Sequence, residues 1–249
     1  MKKILSIFIC GVMLFTTMSV TPVYATTKKT VDAANNSENS YRISKKFTSV
    51  IEDYFKNQTA YTVLDETGNE ISNAFYKDNI ENYNSSDFAA IEKYISNKKI
   101  SCLSKFTVTK EPLNMSGSGL NGEMTPYAFE RQYISKEDNY VAYANSSAYG
   151  TIGINCTATL SGSFIYNANT GIITGYSGPT LSFDYEPLNF DDTSSLNVSP
   201  DNVSTSAKIP SSKYSITFTA NYDVLGTYNV AFPLTFAKNK RITMTGVPE

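Results

Sequence analysis

Any chemistry done by this 249-residue chain is done without imidazole, because the sequence contains no histidine. A Ser-His-Asp or Cys-His arrangement therefore lacks its base, and no imidazole is present to ligate a metal or shuttle a proton. Carboxylates can still do acid and base work, since two acids with separated pKa values suffice to hydrolyse a glycosidic bond. Asp184 and Glu186 are spaced to share one strand face, with Asp191 and Asp192 close behind. Glycosidase pairs come from separate elements around an aromatic cleft, so these acids fit better as solvated strand-end and turn residues. Gly175-Tyr176-Ser177-Gly178-Pro179 comes near a nucleophile elbow, but it ends in proline and has no following helix. Ser96-Asn97-Lys98-Lys99 has the bare Ser-x-x-Lys spacing without its companion motifs. Asp65, Thr67, Asn69 and Glu70 offer oxygens to a calcium ion, yet the repeated acidic ligands and distant bidentate Glu of an EF-hand are missing, and a hairpin turn is the simpler reading. No phosphate-cradling glycine motif occurs. No catalytic residue, cofactor or metal site is assigned, and a non-catalytic role is expected.

The first twenty-five residues set the compartment. Lys2 and Lys3 precede the apolar run from Ile4 to Phe15, and Pro22-Val23-Tyr24-Ala25 supplies a small-residue cleavage site, so processing between Ala25 and Thr26 is expected. The run is too short to cross a bilayer, which takes roughly 20 residues, and no permanent membrane anchor is expected. Cys10 would leave with this leader, and the bulky Phe8 and Ile9 before it do not suit lipid attachment. A secreted, extracellular chain follows. The paired lysines, the short leader and the Asn-, Lys-, Ser- and Tyr-rich remainder resemble exported products of Gram-positive bacteria, which makes sequons such as Asn57-Gln58-Thr59 chance matches.

Two cysteines then remain, Cys102 and Cys156, in a compartment that permits oxidation. A bond between them would close a 54-residue loop and stabilise the fold by roughly 3–4 kcal/mol in the chain-entropy model. The other reading is a pair of buried free thiols acting as small hydrophobes. Without the leader's two lysines the net charge moves from −2 to −4, dispersed in both signs, which argues against a nucleic-acid partner.

The elements that would position these residues divide the chain. Residues 1–25 are the leader and 26–41 a polar, flexible stretch. Residues 42–110 form a helical, α+β amino-terminal region. There Ile43, Phe47, Val50, Ile51, Tyr54 and Phe55 share a helical face capped by Ser44, and a second helix starts at Asp87 with Phe88, Ile91 and Ile95 inward. Residues 111–139, with a Ser-Gly-rich centre, read as a linker or long loop. Residues 140–249 read as an antiparallel β domain. In it Ile152, Ile154, Cys156, Ala158, Leu160, Phe164 and Tyr166 face a core, while Thr151, Asn155, Thr157, Thr159, Ser161 and Ser163 face water. A hairpin turn falls at Asn167–Gly171, a bend at Gly178-Pro179, a strand break at Gly226 and a turn at Lys238-Asn239-Lys240.

The fold class expected is α+β: a small helical amino-terminal region followed by a mainly antiparallel, sandwich-like β domain. Tyrosines interleaved with Ser, Thr and Asn suit a surface that binds cell-wall glycan or an extracellular protein. The alternating hairpins also match a pore-forming, antimicrobial polypeptide. The acid pair leaves a carboxylate-based glycoside hydrolase as a further alternative.

Overall fold

The computed structural model describes residues 45–113, 128–146, 150–188, 195–229 and 232–249. The expected leader with its Ala25–Thr26 junction, Ser44, and the acids Asp191 and Asp192 lie outside these residues. Residues Ser40–Glu249 form one compact unit. The chain is α+β, with a few helices and two antiparallel sheets packed together.

Among the described residues there are three α-helices, and the short strand Tyr61–Leu64 separates the first from the second. α1 (Lys45–Lys56) buries Phe47, Ile51, Tyr54 and Phe55, the face its 3.6-residue period marks out. α2 (Ser72–Asn84) has a weaker stripe, burying Phe75 and the polar Asn79, whose side-chain amide donates to the Phe75 carbonyl at 2.9 Å. α3 (Phe88–Asn97) starts at Asp87, whose carboxylate accepts from the Ala90 amide at 3.0 Å in an N-cap. Tyr54, Phe55, Phe75 and Tyr83 form an aromatic cluster beneath the helices, with Phe55 and Tyr83 stacked 4.5 Å apart.

The first sheet is a meander in the order β1 (Tyr61–Leu64), β2 (Cys102–Leu113), β3 (Phe129–Ser146), β4 (Gly150–Asn167), β5 (Ile173–Leu188). The second contains β6 (Leu196–Lys208), β7 (Ile216–Tyr228) and β8 (Phe232–Gly246), again in chain order. The boundary expected at 111–139 is therefore wrong where it can be seen: residues 111–113 belong to β2 and 129–139 to β3. Glu130, Arg131, Lys136, Glu137 and Asp138 hid that strand. A two-residue period of buried Gln132, Ile134 and Tyr140 runs through those charges. Asp65–Glu70 is a tight turn closed by one bridge, and the true partner of β1 is β2.

Two more expected breaks are not breaks. Gly226 lies inside β7 and Lys238–Lys240 inside β8, while the connection between these strands begins at Asn229. Gly226 is needed for closeness, since a Cβ there would sit 2.8 Å from the Asn197 carbonyl oxygen. The turn at Asn167–Gly171 is as expected, with Gly171 at φ +68.

The sheets face each other through aromatic rings seated on glycines. Phe218 of β7 covers Gly162 of β4, where a Cβ would stand 2.7 Å from the ring. Phe164 of β4 covers Gly246 of β8, where a Cβ would stand 2.4 Å from it. Both rings are fully buried. At the start of β2 the two cores meet: Leu103 belongs to the core under the helices, and Cys102 to the one between the sheets.

Gly162→Ala is expected to lower unfolding free energy by about 1–3 kcal/mol, the cost of overpacking a closed core. Gly175→Ala, with nothing within 4 Å of its added carbon, serves as the near-neutral control. Urea titration of both variants measures the difference.

Candidate functional site

Alternation along the long strands fixes what the first sheet shows to the outside. Row by row from β2 to β5, the outward residues are Lys105, Glu137, Thr159 and Ser182, then Thr107, Ser135, Ser161 and Thr180, then Thr109, Tyr133, Ser163 and Ser177. The last two rows line an open trough of about 390 Å³. It forms where β5 is bulged, with Gly178 and Pro179 both opposite Gly162, so that β5 bends away from its neighbour. Among the described residues, none of the side-chain hydroxyls of Thr107, Thr109, Ser135, Ser161, Ser163, Ser177 and Thr180 has a hydrogen-bond partner in the protein. The outward face of the second sheet differs: Thr217 and Thr245 bond each other at 3.1 Å, and Thr219 and Thr243 at 3.4 Å.

Tyr133 stands over the trough, 40% exposed, and its phenol donates to the Glu111 carboxylate at 2.9 Å. The ring is thereby held at a fixed angle beside the hydroxyl rows. The trough is lined by hydroxyls, two glycines, Tyr133 and Ile134, and no carboxylate or lysine lines it. It is suited to hydrogen bonding and ring stacking, not proton transfer.

Farther along the same face, α1 lies against the sheet and the chemistry becomes ionic. Lys105 contacts Asp53 at 2.5 Å, and the Tyr61 phenol donates to the same carboxylate at 2.6 Å. Lys105 also sits 5.4 Å from the centre of the Tyr61 ring. The hydrogen bond from Lys105, followed by those from Tyr61 and Asn57, holds the Asp53 carboxyl down at about 2. Burial, then the neighbouring Asp53, pushes the Tyr61 phenol upward. These groups tie α1 to β1 and β2, so their first role is structural.

The residues singled out by sequence are dispersed. Asp184 and Glu186 do share the outward face of β5, outside the trough lining. Asp184 is ion-paired with Lys46 of α1, and that hydrogen bond lowers its pKa. One Glu186 carboxylate oxygen is buried without a hydrogen-bond partner. The Asp65 carboxylate is spent on the turn itself, accepting from the Thr67 amide at 2.8 Å and hydroxyl at 2.7 Å and from the Asn69 amide at 2.9 Å. The Asp65 oxygens are thus engaged by the turn, and among the described residues no group of three or more His, Cys, Asp and Glu is placed to hold a metal ion.

The Cys102–Cys156 disulfide is not formed: both thiols are free and buried. Register explains why. Cys156 is opposite Tyr140 on one side of β3, and Cys102 follows the Leu103–Asn139 pair on the other. The cysteines thus flank Tyr140 from non-adjacent strands, with α-carbons roughly 10 Å apart, whereas a bridge tolerates at most about 7 Å. Desolvation, then the nearby Asp138, pushes the Cys102 thiol up to about 12. Desolvation does the same to Cys156, also to about 12. The Tyr140 and Tyr222 hydroxyls meet at 3.2 Å beside them, and Lys240 lies 3.9 Å from the Tyr140 ring centre.

The water-facing residues of β4 are legible in the sequence, whereas Tyr133 falls in the stretch expected to be a loop, and Thr107 and Thr109 flank Val108 on a strand whose pairing with β3 no local pattern shows. The only available signal was the even-numbered period of Gln132, Ile134 and Tyr140. Among the described residues no helix is long and apolar enough to cross a membrane.

Alkylation of the native protein should leave Cys102 and Cys156 unmodified over hours, and denaturation should expose both, as read from the intact mass of the chain that starts at Thr26. Asp53 gives a pH prediction: its folded pKa lies below the unfolded value of about 3.9, so its stabilisation is complete above that value and is lost as pH falls toward 2. Asp53→Asn should therefore lower the melting temperature at pH 6 and flatten its pH dependence between about 4 and 2, as read by thermal unfolding in a pH series. No family model matches the chain, and neither does any curated protein sequence or any solved structure.

Proposed function

We propose that this chain is a secreted, non-catalytic binding protein whose trough on the outward face of the five-stranded sheet takes a cell-wall glycan. The observation that carries the reading is the set of seven trough hydroxyls without an internal partner, next to the oriented ring of Tyr133. A saccharide presents both donors and acceptors on its rim and an apolar C–H face, the complement of hydroxyl rows beside an aromatic ring. Each neutral hydrogen bond adds about 1 kcal/mol net. Several in parallel, with little reordering of a sheet-borne site, give useful affinity without any charged anchor. Export is supported by the positive, apolar and small-residue segments of the first twenty-five residues.

Hydrolysis is disfavoured by the absence of carboxylates from the trough lining and by the pairing of Asp184 with Lys46. Pore formation is disfavoured by the inward face of β3, where Gln132, Lys136 and Asp138 interrupt the apolar row that lipid would have to meet. A lysine at the midplane of a membrane barrel costs about 2–4 kcal/mol.

The protein is expected to be retained on purified Gram-positive cell-wall polysaccharide, to release no reducing ends and to leave liposomes intact. Tyr133→Ala and the double change Ser161→Val with Ser163→Val should each weaken retention about tenfold, an energy of about 1.4 kcal/mol. Asp184→Asn should leave retention unchanged. Undiminished binding by both trough variants would remove this reading, and loss of saccharide linkages on incubation would replace it with hydrolysis.

A further inference from the structure

The trough has a direction, because its two rows of outward side chains run across the strands. One row goes from Thr107 on β2 to Thr180 on β5, and the other from Thr109 to Ser177, with Tyr133 in its second place. Neighbours within a row are about 4.8 Å apart, the spacing of adjacent strands, and the two rows are about 6.8 Å apart, two residues along a strand. Between them the floor includes the main chain of Gly162 and Gly178.

Among the described strands, none closes either end of the rows. β1 pairs with β2 only from Cys102 to Lys105, short of Thr107, and β5 is the last strand of its sheet. A linear molecule lying along the rows can pass over both sheet edges, so the interior of a polymer is held and no chain end is needed. The cations that flank the trough stand beside acids: Lys105 is bonded to Asp53 at 2.5 Å, and Arg131 is opposite Glu111.

We propose that the trough takes an internal segment of an extended, uncharged β-1,4-linked glycan, laid across the strands with about one sugar per strand. This rests on the glycan reading above and narrows it to a linkage and an orientation. A β-1,4-linked chain is a flat ribbon whose rise per sugar is close to the strand spacing, and each sugar is turned over relative to the one before. Each edge of the ribbon therefore shows ring hydroxyls and exocyclic groups in turn. Serine and threonine hydroxyls both donate and accept, so one row of them serves either kind of edge. Tyr133 occupies a single place and stacks on the face of a single sugar. An α-1,4-linked chain curls and loses register with straight rows. A polymer bearing phosphates or carboxylates would meet a net negative chain and no lysine or arginine in the trough lining.

The probes are β-1,4-linked glucose oligomers of two to six sugars and the α-1,4-linked glucose hexamer, titrated calorimetrically into the full chain. Affinity should rise at least tenfold from two sugars to about four, one for each strand from β2 to β5, and then level off. The α-linked hexamer should bind at least tenfold more weakly than its β-linked counterpart. Thr180→Val alters an exposed residue at the far end of a row and keeps its shape. It should weaken the β-linked hexamer about fivefold, the worth of one neutral hydrogen bond, and leave the two-sugar unit seated at Tyr133 unchanged. Absence of binding by every β-linked oligomer, affinity independent of length, equal binding of the two hexamers, or a Thr180→Val effect that is absent or the same for two and six sugars would overturn the proposal. If the protein is still retained on wall polysaccharide in that event, the glycan reading stands and only this narrowing falls; if retention is lost as well, both fall.

Discussion

The fold depends on a reciprocal fit between the two sheets, in which each lends an aromatic ring to a glycine of the other. Phe218 occupies the space that a side chain at position 162 would need, and Phe164 does the same at position 246. This interlock sets the phase of β4. Once Phe164 and Leu160 face inward, Ser161 and Ser163 must face outward, since a slip of one residue would invert every side chain on the strand. The hydroxyl rows are thus a consequence of sheet packing, and their composition is the part left free to vary. Gly162 has a second part in this, because the β5 bulge that opens the trough lies directly across from it.

The helical layer covers the same outward face of the first sheet as the trough, at the end away from it. Leu103 and Cys102 are neighbours in sequence, yet they serve separate cores. The first sheet is therefore closed on both sides near α1 and on one side near the trough. Ionic contacts are concentrated in the closed part, where Asp53, Lys105, Lys46 and Asp184 fasten the helix. Neutral hydroxyls occupy the open part. The charged fastening and the uncharged hydroxyl rows thus occupy separate ends of one sheet face.

Strong periodicity was readable from sequence, and weak periodicity was not. α1, α3 and β4 carry clear apolar stripes of 3.6 or 2 residues, and each lies where its pattern places it. α2 escaped because its buried set includes Asn79 and its apolar stripe is thin. β3 escaped because its inward row holds Gln132, Lys136 and Asp138 among the apolar residues, which reads as loop until β2 and β4 supply partners. Gly226 and Lys238–Lys240 gave false punctuation: the glycine answers a close approach by Asn197, and the lysines belong to an irregular stretch of β8 opposite Tyr222. Half of the trough was legible in β4, and the half contributed by β2 and β3 depended on strand pairing that no local pattern encodes. Of the two readings open for Cys102 and Cys156, the structure holds the buried free thiols, since two residues can share a sheet face and still stand two strands apart.

Both sheets keep their strands in chain order, from β1 to β5 and from β6 to β8. Within each sheet, every strand after the first therefore pairs with the strand that precedes it in sequence, and loop closure between neighbours such as β4 and β5 is entropically cheap. A meander of this kind can assemble vectorially, zippering from its amino-terminal end as the polypeptide emerges from a ribosome or a translocation channel, with no crossing connection to wait for.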